Sequence, residues 1–231
     1  MRYHPAYVFV FASLLSACSN QPSLPEDIVG KAASCAIITA SESRSRMKNA
    51  EDALPLDRQS QIIHYALLAG ASGNSFSREN ANAVVMQMQM LQDRFAEDKW
   101  VPLVAPCKAA FPEADLGRPV KLPEADGDAQ LGCFTLGDFM LRALSAYEGA
   151  YYDDANAYKA MLEKIEPGVD KVLADRGVKP GADKERAAAK DAALQAAVKL
   201  GPPSTVLSEC MKRFPAEVPA PDTPALTPPA S

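Results

Sequence analysis

The hexapeptide CKAAFP at Cys107–Pro112 returns near the end of the chain as CMKRFP at Cys210–Pro215. Each copy is preceded by a distant cysteine that itself follows a Leu-Pro-Glu triplet. Leu24-Pro25-Glu26 stands before Cys35 and Leu122-Pro123-Glu124 before Cys133, at the same offset. The cysteines within each copy lie 72 and 77 positions apart. Four cysteines admit three pairings. Two copies of one unit carry the same internal bond, so the repeat selects Cys35 with Cys107 and Cys133 with Cys210. Each bond would clip the first helix of its unit to the last. Closing a loop of that size removes unfolded-state entropy worth roughly 4 kcal/mol in the chain-entropy model, a large share of a small domain's net stability.

The hexapeptide also reads locally. Phe111 and Phe214 follow their cysteines by one helical turn on the same face, and Pro112 and Pro215 then stop the helix. Between the cysteines the pattern is helical and strand signals are nearly absent. The expected fold is all-α, built from two tandem, duplicated helical units, each closed by a disulfide between its first and last helix.

Helix by helix, Ser23 and Glu26 form a capping box for a first helix that places Ile28, Ala32, Cys35, Ala36 and Thr39 on one face. Leu56–Ala71 reads as a second. A third runs from Ser77 to about Lys99, with Val84, Met88, Leu91 and Phe95 at helical spacing. A short helix carrying Cys107 closes the unit. Residues 113–130, rich in Pro, Gly and acid, read as linker and lead-in. The second unit is expected to use Phe134–Glu148, then Ala155–Ile165 continuing as Gly168–Ala174 after a break at Pro167. The helix-forming run DKERAAAKDAALQAAVKL follows, and Thr205–Phe214 closes the unit. The organisation is thus a leader at 1–17, a tether at 18–23, units at 24–112 and 122–215 joined by a linker at 113–121, and a proline-rich tail at 216–231, expected to be disordered.

The N-terminus explains the fifth cysteine. Arg2 precedes an apolar run from Ala6 to Leu15, long enough for the core of an export signal and too short for a membrane span of ~20 residues. It ends in Leu15-Ser16-Ala17-Cys18, which resembles the lipobox of bacterial lipoproteins. The resemblance covers about the first eighteen residues. It implies cleavage before Cys18, acylation of that cysteine with two or three chains, and a membrane attachment that needs no transmembrane helix. Ser19 after the cysteine implies sorting to the outer membrane, with the protein facing the periplasm. An exported chain enters an oxidising compartment, which agrees with a disulfide framework for the other four cysteines.

Charge narrows the partners. The chain carries 24 Lys+Arg against 29 Asp+Glu, a net charge of −5, with no basic block. That offers little to neutralise phosphates, which argues against nucleic acid. Membrane contact is expected through the lipid on Cys18, and the partner is expected to be an envelope protein or glycan.

Chemistry is sparse in the sequence. His64, within QIIHYALL, reads as a residue that packs at a helix surface or hydrogen-bonds locally. No nucleophile elbow, no H-E-x-x-H and no phosphate loop appears, and no cofactor motif is present. Met86 and Met90 share a helix face and are candidate soft-metal ligands, with core packing the plainer reading. Tyr147, Tyr151, Tyr152 and Tyr158 group as a possible ligand surface for a sugar or peptide. The expected role is therefore non-catalytic binding or scaffolding at the envelope. The alternatives are an enzyme acting on envelope polymers, with Glu148 and Asp153 as acid and base, and a periplasmic metal handler.

Overall fold

The computed structural model describes residues 23–95, 99–147 and 149–215, and among them the regular structure is helical with no strand. The lipobox, Cys18, Ser19, Glu148 and the proline-rich tail lie outside the described residues. Eight α-helices follow in order: α1 (Ile28–Ser45), α2 (Leu56–Gly70), α3 (Arg78–Leu91), α4 (Val104–Ala110), α5 (Asp126–Leu144), α6 (Tyr152–Asp175), α7 (Asp183–Val198) and α8 (Pro203–Arg213).

The duplication is visible in the geometry. Both disulfides form as the repeat selects, Cys35–Cys107 with a Cα separation of 5.4 Å and Cys133–Cys210 with 5.8 Å. They tie α1 to α4 and α5 to α8. The two hexapeptides end their helices identically in backbone terms: Phe111 sits at φ −133°, ψ 68° and Phe214 at φ −123°, ψ 65°. Their N–H groups donate to the carbonyls of Cys107 and Cys210 at 3.0 and 2.8 Å. In each half the first helix is the hub, with α1 packing on α2, α3 and α4, and α5 on α6, α7 and α8. In the second half Arg213 also fastens the Leu-Pro-Glu segment, donating to the carbonyls of Pro123 and Glu124 at 2.5 and 2.8 Å and pairing with Asp126 at 2.5 Å.

Several boundaries differ from the sequence expectation. No Ser23–Glu26 capping box starts α1. Asp27 is the cap, in extended geometry, and its carboxylate accepts from the Gly30 N–H at 2.7 Å. A short side chain directly before the first turn reaches that donor without the detour a box requires. α3 stops at Leu91 and tightens into a 3-10 turn over Gln92–Phe95 that buries Phe95.

α5 begins at Asp126, eight residues before Phe134, inside the stretch read as linker. Asp126 and Asp128 complement the positive end of the helix, and Gly127, which reads as a loop signal, sits against Val172 of α6, 3.4 Å from where a Cβ would stand. A Cβ on Gly137 would come within 3.0 Å of Leu162 and Met161, so the missing side chain lets α5 and α6 approach closely.

α6 runs unbroken through Pro167. Pro167 is exposed, so the carbonyl it deprives of a partner faces water, while Met161, Leu162, Ile165, Val169 and Leu173 continue the buried stripe on the other side. Burial of that stripe outweighs the lost hydrogen bond. α6 ends at Asp175, and Gly177 just beyond its cap, at φ +79°, takes the left-handed conformation of a helix stop.

The two halves are not beads on a string. One hydrophobic cluster takes in Leu67 and Val84 from the first half and Leu136 and Leu207 from the second. α2 is the element that crosses, packing against both α7 and α8.

Candidate functional site

Where the halves meet, buried polar groups are paired across the seam. His64 is fully buried, and its Nε2 lies 2.7 Å from the Val198 carbonyl, which ends α7. The carbonyl only accepts, so Nε2 carries the proton. Nδ1 is left without a hydrogen-bond partner. Burial lowers the His64 pKa from 6.5 to about 4, the bond to Val198 opposes that fall, and the positive charge of Arg118 adds to it. His64 is therefore neither a surface nor a locally bonded residue. α2 is buried on nearly every side because it lies between the halves, and the acceptor that His64 meets belongs to the other half.

The same seam takes up part of the tyrosine cluster. Tyr151 is 6% exposed, and its hydroxyl donates to the Leu54 carbonyl at 2.8 Å. Tyr147 accepts from Gln59 Nε2 at 2.6 Å and stacks edge-on against Tyr151 with ring centroids 5.7 Å apart. Tyr158 is buried in the core, and burial pushes its phenol pKa far up. Tyr152 points to solvent. The structure therefore does not bring the four together on one ligand-facing surface: Tyr151 and Tyr158 pack, Tyr147 does both, and Tyr152 alone is free of the interior.

Met86 and Met90 do not pack into the core. They are 62% and 75% exposed, beside Val85, while Val84 on the opposite side of α3 is fully buried. Met88 and Met47 are half-buried against the core. Asp153 is exposed in the first turn of α6, and Glu148 lies outside the described residues. No group of three or more His, Cys, Asp or Glu side chains is placed to hold a metal among the described residues.

Among the clefts of the described residues, two lie each beside a disulfide. The first, about 310 Å³, lies between α5, α7 and α8 and is closed on one side by Leu122 and Pro123. Its walls are small: Ala129 and Gly132 from α5, and Ala192, Ala193, Ala196 and Ala197 from α7. Cys133 forms part of its floor. At its rim Asp128 and Arg176 pair with each other, so no unpaired charge faces its apolar walls. Nothing in it resembles an acid, base or nucleophile poised for catalysis. Its lining is predominantly apolar.

The second cleft, about 220 Å³, lies in the first half between α1, α2, α4 and residues 115–117. It is polar, lined by Glu42, Arg58, Gln61, Tyr65, Lys108 and Asp115 around Cys107. The Tyr65 hydroxyl accepts from Thr39 at 3.1 Å, and burial raises its phenol pKa, so it keeps a proton to donate.

The sequence did not single out either cleft. Small residues at turn spacing in DAALQAAV were a usable signal for the first. The second draws on four separate segments and has no local signature.

No protein-family model, curated protein or solved structure matches the chain.

Proposed function

We propose that this is a lipid-anchored cell-envelope protein that holds a protein partner by accepting one of its apolar side chains in the alanine-walled cleft, without catalysing a reaction. The anchor is the acylated Cys18, and the protein faces the periplasm from the outer membrane. The observation that carries the reading is the cleft itself. An apolar concavity of about 310 Å³ is large enough for one bulky side chain. Its rim charges are already paired, and its floor is pinned by a disulfide, so it is preorganised to receive a group without rearranging. A protein partner is favoured over a glycan because Tyr151 and Tyr158, which would stack on sugars, are buried. No helix among the described residues is long and apolar enough to cross a membrane, which is compatible with attachment through lipid.

Two measurements test this. Cys18→Ser is expected to release the protein from membranes, and its continued retention there would remove the anchor from the account. A photo-crosslinking residue at Ala196, at the mouth of the cleft, is expected to trap a defined adduct in intact cells, whereas one at exposed Ala188 on the same helix traps none. Identical adducts from both positions, or none from Ala196, would count against the cleft as the contact.

A second reading, soft-metal handling, is favoured by the exposure of Met86 and Met90 one turn apart on α3. Titration with Ag(I) as a stand-in for Cu(I) tests it. Saturable binding lost in Met86→Leu/Met90→Leu supports it, and indifference to those changes rejects it.

A further inference from the structure

The polar cleft differs from an ordinary charged surface in that both signs of charge line it from separate elements without closing on one another. Glu42 comes from α1, Arg58 from α2, Lys108 from α4 and Asp115 from the segment after α4. Glu42 pairs at 2.6 Å with Arg46 one turn further along its own helix, and its side chain is 15% exposed against 64% for Arg46. Arg58 donates to the neutral carboxamide of Gln61 at 3.1 Å, and Asp115 accepts from the Gly117 N–H at 3.2 Å. Among the described residues Arg58, Lys108 and Asp115 form no ion pair, so none spans the cleft.

Opposite charges that line one concavity and stay apart leave room for a ligand that carries both. The Gln61 carboxamide is fixed by donating to the Ala114 carbonyl at 2.7 Å, and the Tyr65 phenol supplies a neutral donor between the charged walls. A volume of about 220 Å³ is that of about seven waters, enough for a small amino acid or a dipeptide end. Cys107 in its wall is bonded to Cys35, so the α1 and α4 sides of the cleft are held at a fixed separation.

We propose that this cleft binds a zwitterionic ligand of the amino-acid type, its ammonium group between Glu42 and Asp115 and its carboxylate between Arg58 and Lys108. Charge-assisted hydrogen bonds at both ends make recognition depend on the two charges together, so a molecule with only one of them forfeits half the contacts and leaves the opposing groups unanswered. The site is independent of the apolar cleft and stands or falls separately.

The test uses the mature chain with its disulfides intact and follows chemical shifts or heats of binding. Alanine and alanylalanine are the zwitterionic probes, and propylamine and propionate are the single-charge controls. The expected result is saturable binding of the zwitterions with the controls weaker by about tenfold or more. Glu42→Gln and Lys108→Ala are each expected to weaken the zwitterions by a similar factor. Ala196→Trp, which fills the apolar cleft, is expected to leave them unchanged. Lys108 is exposed and Glu42→Gln keeps the side-chain shape, so both variants fold. Equal binding of the controls, indifference to both substitutions, or no saturation at any soluble concentration would overturn the proposal.

Discussion

His64 on α2 and Val198 at the end of α7 meet at 2.7 Å, although they are 134 positions apart and belong to different disulfide-closed halves. This bond, with Tyr151 to Leu54 and the Ser204 N–H to Ser60 Oγ at 2.8 Å, joins two duplicated units into one structure with a shared core.

The protonation of His64 makes that seam sensitive to acid. In the fold its pKa is about 4, below the unfolded value of 6.5, so the unfolded chain takes the proton first as pH falls. The contribution of His64 to stability is complete above pH 6.5 and declines by about 1.4 kcal/mol per pH unit between pH 6.5 and 4. Urea denaturation at intervals across that window should show the slope. His64→Leu should remove it, and an unchanged slope in that variant would assign the acid sensitivity to other groups.

Removing one hydroxyl at the seam should have a measurable effect. Tyr151→Phe leaves the carbonyl of buried Leu54 without its donor and is expected to cost about 1–3 kcal/mol. Tyr152→Phe, at an exposed ring, should stay within about 0.5 kcal/mol. Thermal denaturation of the pair separates the packing tyrosine from the free one.

The two faces of α3 should respond in opposite ways. Val84→Ala deletes two buried methyl groups and is expected to cost roughly 2 kcal/mol. Met90→Ala, 75% exposed in the native state, should be nearly neutral. A large loss at Met90 would mean that this side of α3 is covered in solution.

Loss of the Asp27 cap should shorten α1. Asp27→Ala removes the acceptor for the Gly30 N–H and is expected to cost about 1 kcal/mol, with Asp27→Asn retaining most of the stability. Equal losses in the two variants would argue against a capping role.

The all-α class and both disulfides were legible because a repeat converts an ambiguous cysteine count into a single pairing. Helix faces were legible wherever one side is solvated, as with Val84 on α3. Elements whose character depends on a partner far along the chain were not. Gly127 looks like a loop residue until Val172 of α6 is placed against α5, and Pro167 looks like a break until the apolar stripe of α6 is seen to continue past it. His64 and Tyr151 were misjudged or left open for the same reason: periodicity tells which residues seek burial and is silent about what will cover them. In the apolar setting of QIIHYALL, a helix flanked by apolar residues on both sides of the histidine was the available hint that α2 is central.

Peptide mapping of the protein without reductant tests the central claim most directly. Two look-alike halves, each closed on itself, require a peptide linked through Cys35 and Cys107 and another through Cys133 and Cys210, with no free thiol among the four. Links running from one half to the other, or unpaired thiols at these positions, would contradict the duplicated architecture on which the seam and both clefts depend.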